Sequence, residues 1–252
     1  MNTFQRKTIF AAIFISAMLA LPVNSFAMHI MEGYLPLKHC IAWGVICIPF
    51  LVMGFLSINK ILSENPKGAA LIAMSAAFVF VISSLKIPTI FGSCSHMTGT
   101  GLGAILFGPW IMSVLGIIVL IFQALLLAHG GLTTLGANTF SMAVAGPFAA
   151  YIIYKACIKL NLSKRVSVFF AAFFGDLVTY FITSMQLSLS YSSSDGFINT
   201  AAKFMAVFMP TQLPLAIIEG ILTVVIIIGL ENYALPELKN TLFGTTKSSK
   251  EA

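Results

Sequence analysis

The first candidate for chemistry is His29, within the stretch 28–36, which reads Met-His-Ile-Met-Glu-Gly-Tyr-Leu-Pro. Residues 1–27 have the three parts of a secretory signal: a basic start, an apolar middle and a small-x-small site that ends at Ala27. Cleavage there would make Met28 the N-terminus and His29 the second residue. The Met28 amine, the deprotonated amide between the two residues and the imidazole could then close fused chelate rings on one cobalt, nickel or copper ion.

Two more histidines, His96 and His129, lie in glycine-rich turns at the ends of apolar segments. A lone histidine at a helix end is more often a capped surface residue than a ligand. Here both turns are assigned to the outer side of the membrane, where His29 is also expected. The sequence therefore predicts that the three imidazoles can reach one extracellular vestibule beside the free amine.

The composition places the chain in a membrane. Of its 252 residues, 58% are hydrophobic and 9% are charged, whereas a soluble domain carries about 25% charged residues. Removal of the signal leaves 225 residues, enough for six or seven spans of roughly 20 residues each. The net charge of +6 does not indicate nucleic-acid binding, because the basic residues lie in short loops. Four cysteines without CxxC spacing leave open whether Cys40 and Cys94 form a disulfide.

The elements that must position these residues are helices. The predicted fold is all-α, a polytopic membrane bundle of six to seven transmembrane segments, one of them short or re-entrant. The apolar segments are 40–58, 69–85, the short 101–108, 110–128, 139–158, 166–190 and 213–230. Gly146-Pro147 predicts a kink in the segment 139–158. Residues 191–210 are expected to form an outer loop with an interfacial helix.

The basic residues predict the topology. Nine Lys and Arg lie on segments assigned to the cytoplasm, three on outer segments and two in the signal. This bias indicates a mature N-terminus outside and a C-terminus inside the cell. The predicted organisation is a cleaved signal peptide at 1–27, an extracytoplasmic metal-capping segment at 28–38, the transmembrane bundle at 39–231 and a cytoplasmic tail at 232–252.

Two carboxylates, Asp176 and Glu219, fall inside apolar spans. A charged group there costs about 2.5–3.5 kcal/mol on insertion scales, so it marks either function or internal pairing. Two such groups are weak support for a proton or cation relay. Hydrogen bonding of each carboxyl to nearby hydroxyls and amides explains them at least as well. The polar side chains that could supply those bonds are Thr183, Ser184 and Gln186.

Four stretches of the sequence carry a resemblance to a known family. They are 28–36, the run 92–109 around His96, the run 123–147 around His129, and 213–220. Over essentially the whole mature chain they resemble the CbiM family, the cobalt substrate-binding component of energy-coupling factor (ECF) transporters. The nickel-binding sister family NikM shares the overall architecture, but the sequence Met31-Glu32-Gly33 is closer to that of the cobalt members.

The resemblance implies capture of Co²⁺ outside a bacterial inner membrane and its passage inward in support of cobalamin synthesis. It implies three partners: the small membrane subunit CbiN, the transmembrane coupling subunit CbiQ and the ATPase CbiO. The family's nitrogen ligands carry over to Met28, His29 and His96, although Met97 stands where proline is common. His129 matches a family position that is expected to support the ligands rather than to bind the ion.

Nothing in the sequence suggests an enzyme or a resident cofactor. There is no G-x-x-x-x-G-K-[ST] motif, so any use of ATP is assigned to a partner. A membrane-embedded hydrolase built on Ser95, His96 and His129 would lack a G-x-S-x-G or HExxH element. Two transport functions besides cobalt capture stay open: a nickel-specific component of the same type, and a self-contained secondary transporter that uses Asp176 and Glu219. The nitrogen ligands do not decide between cobalt and nickel.

Overall fold

A computed structural model of the chain describes residues 26–27, 29–64, 66, 68–88, 93–192, 196–239 and 241–245. Three sequence expectations lie outside these residues: most of the signal peptide, the Met28 amine and the end of the cytoplasmic tail. The described residues form helices joined by short connections, with one small sheet. The helices are α1 (Leu37–Glu64), α2 (Gly68–Ser84), α3 (Thr100–Phe107), α4 (Pro109–Leu127), α5 (Leu135–Lys159), α6 (Lys164–Tyr191), α7 (Phe197–Tyr233), α8 (Leu235–Lys239) and α9 (Leu242–Thr245).

This architecture confirms the predicted membrane bundle. Among the described residues, five helices are long and apolar enough to cross a membrane, namely α1, α4, α5, α6 and α7. The apolar helix α2 is shorter, with 17 residues. Together with the short α3 they account for seven segments, in agreement with six to seven and one short. Most helix bounds lie within a few residues of the apolar runs, because those runs set where the helices enter and leave lipid.

The short segment is the centre of the bundle. Helix α3 has eight residues, all of them buried, and is about 12 Å long, too short to cross the roughly 30 Å of a bilayer core. It begins after Gly99 and ends at Gly108, both of which have positive φ angles, 69° and 90°. Helices α2, α4, α5 and α6 surround it. Irregular backbone at this depth is tolerated because protein rather than lipid encloses it.

The predicted break in the fifth apolar run takes a different form. Residues Thr139–Ala145 are π-helical, and a regular α-helix resumes at Gly146–Lys159. Pro147 explains the position of this stretch. Its ring would clash with the carbonyl four residues earlier in a regular helix, and a π-helical turn relieves such a conflict. The expected kink at Gly146-Pro147 is thus a widened turn just before the proline.

The prediction for residues 191–230 was wrong. An outer loop, an interfacial helix and a separate span were expected, but Phe197–Tyr233 is one continuous helix of 37 residues with Pro210 and Pro214 inside it. Prolines are tolerated in membrane helices where neighbours satisfy the freed backbone groups. Helix α7 packs along α6 for much of its length.

A small sheet leads into the turn that carries His96. Its strands are β1 (Phe26–Ala27), β2 (Ile87–Pro88) and β3 (Ser93–Ser95), in the order β1-β3-β2. Strand β3 is parallel to β1 and antiparallel to β2. Ala27 is paired with Cys94, a contact of the uncleaved chain that the predicted cleavage after Ala27 would remove.

Candidate metal centre

The segment that follows His29 is held against the start of α5. The backbone N–H of Ile30 donates to Oδ1 of Asn138 at 2.8 Å, and Nδ2 of Asn138 donates to the Ile30 carbonyl oxygen at 3.0 Å. The hydroxyl of Thr134 donates to the same oxygen at 2.5 Å. Farther along, Oε2 of Glu32 accepts from the backbone N–H of Thr133 at 3.1 Å. These bonds fix the path of the N-terminal segment into the bundle.

The turn that carries His96 is held by side chains of α6 and α7. The Tyr180 hydroxyl accepts from the backbone N–H of His96 and donates to the His96 carbonyl oxygen, each at 2.9 Å. Nε2 of Gln212 donates to the same carbonyl oxygen at 3.4 Å. Both backbone groups of His96 are therefore satisfied by side chains from distant helices, which leaves the imidazole orientation to the turn itself.

His129 follows the last turn of α4. Ala128 takes a left-handed conformation with φ 46°, and the backbone N–H of His129 donates to the carbonyl oxygen of Gln123 at 3.1 Å. A bond that closes the final turn in this way is a common end of an α-helix. The His129 ring then lies beside that of His29, with centroids 4.4 Å apart.

The three imidazoles meet in one buried cluster. Ring centroids are 4.4 Å apart for His29 and His129, 4.8 Å for His29 and His96, and 5.0 Å for His96 and His129. One ring nitrogen from each lies within 4.8 Å of those from the other two. The exposed fractions are 0%, 0% and 2% for His29, His96 and His129. The predicted convergence of the three histidines is confirmed, although the site is enclosed rather than an open vestibule.

A chain of hydrogen bonds sets the tautomer of His29. The Ser83 hydroxyl donates to the carbonyl oxygen of Val79, so its oxygen accepts from Nε2 of Gln123 at 2.6 Å. The Gln123 amide oxygen then faces Nε2 of His29 at 3.0 Å. Since that oxygen only accepts, Nε2 must carry the proton. The lone pair of the ring is therefore on Nδ1, which has no hydrogen-bond partner.

His96 has the opposite tautomer for an equivalent reason. Its Nδ1 lies 2.8 Å from the carbonyl oxygen of Met97, which can only accept, so Nδ1 carries the proton. The lone pair is on Nε2, and this atom has no partner, as is also true of Nε2 of His129. Three buried ring nitrogens without hydrogen bonds thus gather in one place. Histidine ligands of metals commonly donate the other ring N–H to a carbonyl or a side chain in this way.

The site favours uncharged imidazoles. Burial lowers the pKa of His96 to about 4. Burial, followed by the proximity of His96, lowers the pKa of His29 well below its usual value. Burial likewise lowers the pKa of His129, with smaller effects from the other two histidines. All three rings are therefore neutral near pH 7, the form in which imidazole binds metals.

The remaining candidates lie outside the cluster. Asp176 and Glu219 are fully buried but belong to a separate hydrogen-bonded group around Gln212, Thr98 and Gly99. The expectation of hydrogen-bonded carboxyls is confirmed, with other partners than those named. The hydroxyls of Thr183 and Ser184 bond to their own helix, and Gln186 donates to the carbonyl oxygen of Ala137.

The structure also answers the open question of a disulfide between Cys40 and Cys94. The buried thiol of Cys40 is free and contacts the Leu35 carbonyl oxygen.

Sequence reasoning missed the residues that orient the cluster. These are Ser83, Gln123, Asn138, Tyr180 and Gln212. Each is a polar side chain within or beside an apolar helix, where such residues are costly and usually functional or internally paired. That signal could have marked Gln123, which lies in the otherwise apolar second half of α4.

Comparison with known proteins agrees with this architecture. The family model CbiM, described as a cobalt uptake substrate-specific transmembrane region, matches residues 29–236. A protein of Lachnoclostridium phytofermentans described as cobalt transport protein CbiM is 67% identical over 215 residues, which is 85% of this chain and 86% of that protein. One of Carboxydothermus hydrogenoformans with the same description is 56% identical over 218 residues, 86% of this chain and 89% of that protein.

Two crystal structures described as a transition metal transporter, one of them truncated, have the same fold. The truncated one has a TM-score of 0.72 and 30% sequence identity, and the match covers 81% of this chain and 99% of that structure. The other has a TM-score of 0.72 and 29% identity, with 84% of this chain and 97% of that structure covered.

Proposed function

The chain belongs to the CbiM family, and on that basis we propose that it is the substrate-capture subunit of an ATP-driven, ECF-type cobalt importer. It binds Co²⁺ on the outer side of the bacterial inner membrane and passes it inward with partner subunits, in support of cobalamin synthesis. In this role the mature N-terminus lies outside and the C-terminal tail lies in the cytoplasm.

The observation that carries this proposal is the set of three unpaired imidazole nitrogens in one enclosed site. A buried polar atom without a partner costs about 1–3 kcal/mol. A cation that accepts all three lone pairs would remove that cost in one step. With metal–nitrogen bonds of about 2.1 Å, neighbouring ligands of a first-row divalent ion are about 3.0–3.6 Å apart. The three histidines each offer a ligand atom within 4.8 Å of the other two, so these atoms would have to move closer together by about 1–2 Å to bind one ion.

The free Nδ1 of His29 also fits ligation by the mature N-terminus. Nδ1 is the ring nitrogen that closes a six-membered chelate ring with the amide nitrogen of its own residue. The Met28 amine would close a second, five-membered ring on the same ion. With Nε2 of His96 these atoms make four nitrogen ligands, and Nε2 of His129 could approach as a fifth. This set requires cleavage after Ala27.

The partners follow from the same assignment. The sequence has no nucleotide-binding motif of the G-x-x-x-x-G-K-[ST] type, so the free energy of ATP hydrolysis must come from another subunit. We assign that role to the ATPase CbiO, with CbiQ as the transmembrane coupling subunit and CbiN as the small membrane subunit. The chain itself is assigned neither a catalytic site nor a resident cofactor.

Nickel is the second candidate cargo, because a plane of four nitrogens also suits Ni²⁺. A competition measurement with both metals on the purified mature protein decides between them. In the same assay, His29→Ala and His96→Ala should abolish high-affinity binding. His39→Ala is the matched control, since this histidine bonds to Ser190 through Nδ1 and lies outside the cluster. Binding that survives His96→Ala would refute the assignment of this site.

The N-terminal ligand has its own test. An added glycine before Met28 would convert its amine into an amide and move His29 to the third position. The new amine lies up to about 3.6 Å farther along the chain, while His96 keeps its place, so cobalt affinity should fall. Equal affinity in the native and extended proteins would exclude the amine as a ligand. Uptake of cobalt by the chain alone in liposomes would instead favour a self-contained secondary transporter.

A further inference from the structure

The residues between His96 and helix α3 are held by a carboxylate from α7. Oε2 of Glu219 accepts from the backbone N–H of Thr98 at 2.6 Å. Oε1 accepts from the Thr98 hydroxyl at 3.0 Å and from the backbone N–H of Gly99 at 2.9 Å. Glu219 is about 120 residues away in sequence, so these bonds fix the turn to a distant helix rather than to its own neighbours.

Helix α3 depends on this carboxylate for its N-terminal cap. Its N-cap residue is Gly99, in a left-handed conformation and without a side-chain cap of its own. Successive backbone N–H groups in such a conformation form a concave site that suits an anion. Glu219 occupies this concavity. The turn also packs closely against α2, since a Cβ at Gly99 would lie 3.2 Å from Cα of Val79.

The carboxylate oxygens of Glu219 are used by this turn. Together they accept three hydrogen bonds, two from Thr98 and one from Gly99. The other buried carboxyl group, Asp176, bonds elsewhere: its Oδ2 accepts from Nε2 of Gln212, while its Oδ1 has no hydrogen-bond partner. Most of the roughly four lone-pair sites of the Glu219 carboxylate are thus used by the turn rather than left for a cation.

We propose that Glu219 is a positioning residue of the metal site. It holds the backbone of Thr98 and Gly99, and through that turn it fixes where Nε2 of His96 stands relative to His29. This inference rests on the proposed role of His96 as a ligand. Ligand positions in such a site must be correct to about 0.5 Å, and Tyr180 and Gln212 hold only the backbone of His96 itself. Glu219 holds the turn on the C-terminal side of His96.

The test is the cobalt affinity of purified mature protein carrying Glu219→Gln, measured together with the visible absorption spectrum of bound Co²⁺. Glutamine offers one acceptor oxygen in place of two, so at least one of the two backbone N–H groups loses its partner. We expect affinity to fall 10–100-fold, the range for residues that orient metal ligands. The cobalt spectrum should also change, because it depends on ligand geometry, whereas a loss of stability alone would leave it as in the wild type.

Two matched variants separate this role from direct binding of the cation by the acid pair and from a general effect of changes in α7. Asp176→Asn keeps an acceptor for Gln212 and leaves all three hydrogen bonds from the turn to Glu219, so its affinity and spectrum should be close to those of the wild type. Thr223→Val removes a buried hydroxyl one turn along the same helix, which bonds only to the Glu219 carbonyl oxygen, and should also have little effect. Asp176→Asn as damaging as Glu219→Gln would mean that the acid pair itself binds the cation, and would overturn the inference.

If Glu219→Gln does not yield folded protein, Thr98→Val removes one of the three bonds and keeps the carboxylate. It should shift the cobalt spectrum with a few-fold loss of affinity, and an unchanged spectrum would overturn the inference. Wild-type affinity and spectrum in Glu219→Gln would do the same. Absence of cobalt binding by the wild type would instead refute the proposed function, so the two failures are distinguishable.

Discussion

Nε2 of His29 lies 3.0 Å from the amide oxygen of Gln123, a residue 94 positions away in the chain. The backbone carbonyl of the same Gln123 accepts from the N–H of His129. One residue near the end of α4 therefore orients one imidazole and closes the turn that presents another. Because the side-chain bond requires a proton on Nε2, it places the free lone pair of His29 on the nitrogen nearest the main chain.

Replacement of Gln123 by methionine should weaken cobalt binding 10–100-fold, the usual effect of removing a residue that orients a metal ligand. Methionine has a similar shape but no strong acceptor for Nε2 of His29, so the tautomer is no longer fixed. Gln123→Glu keeps the acceptor and should retain most of the affinity. Ser113→Ala, which removes a buried hydroxyl on the same helix that bonds to the Pro109 carbonyl oxygen, is the control. Equilibrium dialysis with Co²⁺ measures all three, and wild-type affinity in Gln123→Met would contradict the role of this bond.

Replacement of His129 by alanine should lower cobalt affinity less than loss of His29 or His96, and it should shift selectivity toward nickel. The reason is that in the proposed ligand set the other ligands would form a plane of four nitrogens, an arrangement that suits Ni²⁺ and Cu²⁺, with His129 as a fifth donor. The ratio of cobalt to nickel dissociation constants reports the shift. A ratio equal to that of the wild type would show that His129 does not bind the ion.

Replacement of Gly131 by alanine should displace the N-terminal segment. A Cβ at this position would lie 2.5 Å from Cα of Glu32, and the nearest atoms include its backbone nitrogen at 2.6 Å, so the segment cannot keep its place. Cobalt affinity should fall at least tenfold, because His29 moves with the segment. Gly229→Ala is the control, since nothing lies within 4 Å of a Cβ there. Equal affinity in the two variants would mean that the seating of the segment does not limit metal binding.

The release of protons on metal binding should be about two per ion at pH 6. These come from the N-terminal amine, whose usual pKa is about 8, and from the amide. The imidazoles should add almost none, because burial lowers the pKa of His96 to about 4 and lowers those of His29 and His129 as well. Lowered pKa values mean that protons compete for the rings only in more acidic solution.

Calorimetric titration at pH 6 in buffers with different ionisation enthalpies counts these protons. Three histidines with the ordinary pKa of about 6.5 would each be roughly three-quarters protonated before binding, and the count would rise to about four. The number of protons released by the glycine-extended protein is the control, because it shows how many of the released protons come from the Met28 amine.

Much of the bundle can be predicted from the sequence, and the exceptions have physical causes. The brevity of α3 is evident from the glycines and the Gly108-Pro109 pair that bound it. The continuity of α7 cannot be predicted in this way, because Pro210 and Pro214 each indicate a break in the helix when only the local sequence is considered. Whether a proline ends a membrane helix depends on which neighbours satisfy the freed carbonyls, and those neighbours are set by the packing of α6 and α7.

The candidate site divides in the same way. The three histidines are predictable because His96 and His129 lie in glycine-rich turns at the ends of apolar segments, and His29 follows the predicted signal cleavage site. The residues that orient them cannot be predicted, because a polar residue such as Gln123 in an apolar helix shows that a partner is needed without showing which one. The tautomers of His29 and His96 follow only from contacts between residues far apart in the chain.

The central claim is that one ion is held between Nδ1 of His29 and Nε2 of His96. Crystals of the mature, cobalt-loaded protein, with diffraction recorded on both sides of the cobalt absorption edge, locate the ion directly. We predict a single anomalous peak within about 2.1 Å of these two nitrogens, the distance usual for imidazole on a first-row divalent metal. A cobalt peak at Asp176 and Glu219, or anywhere that leaves His29 and His96 without the ion, would contradict the account.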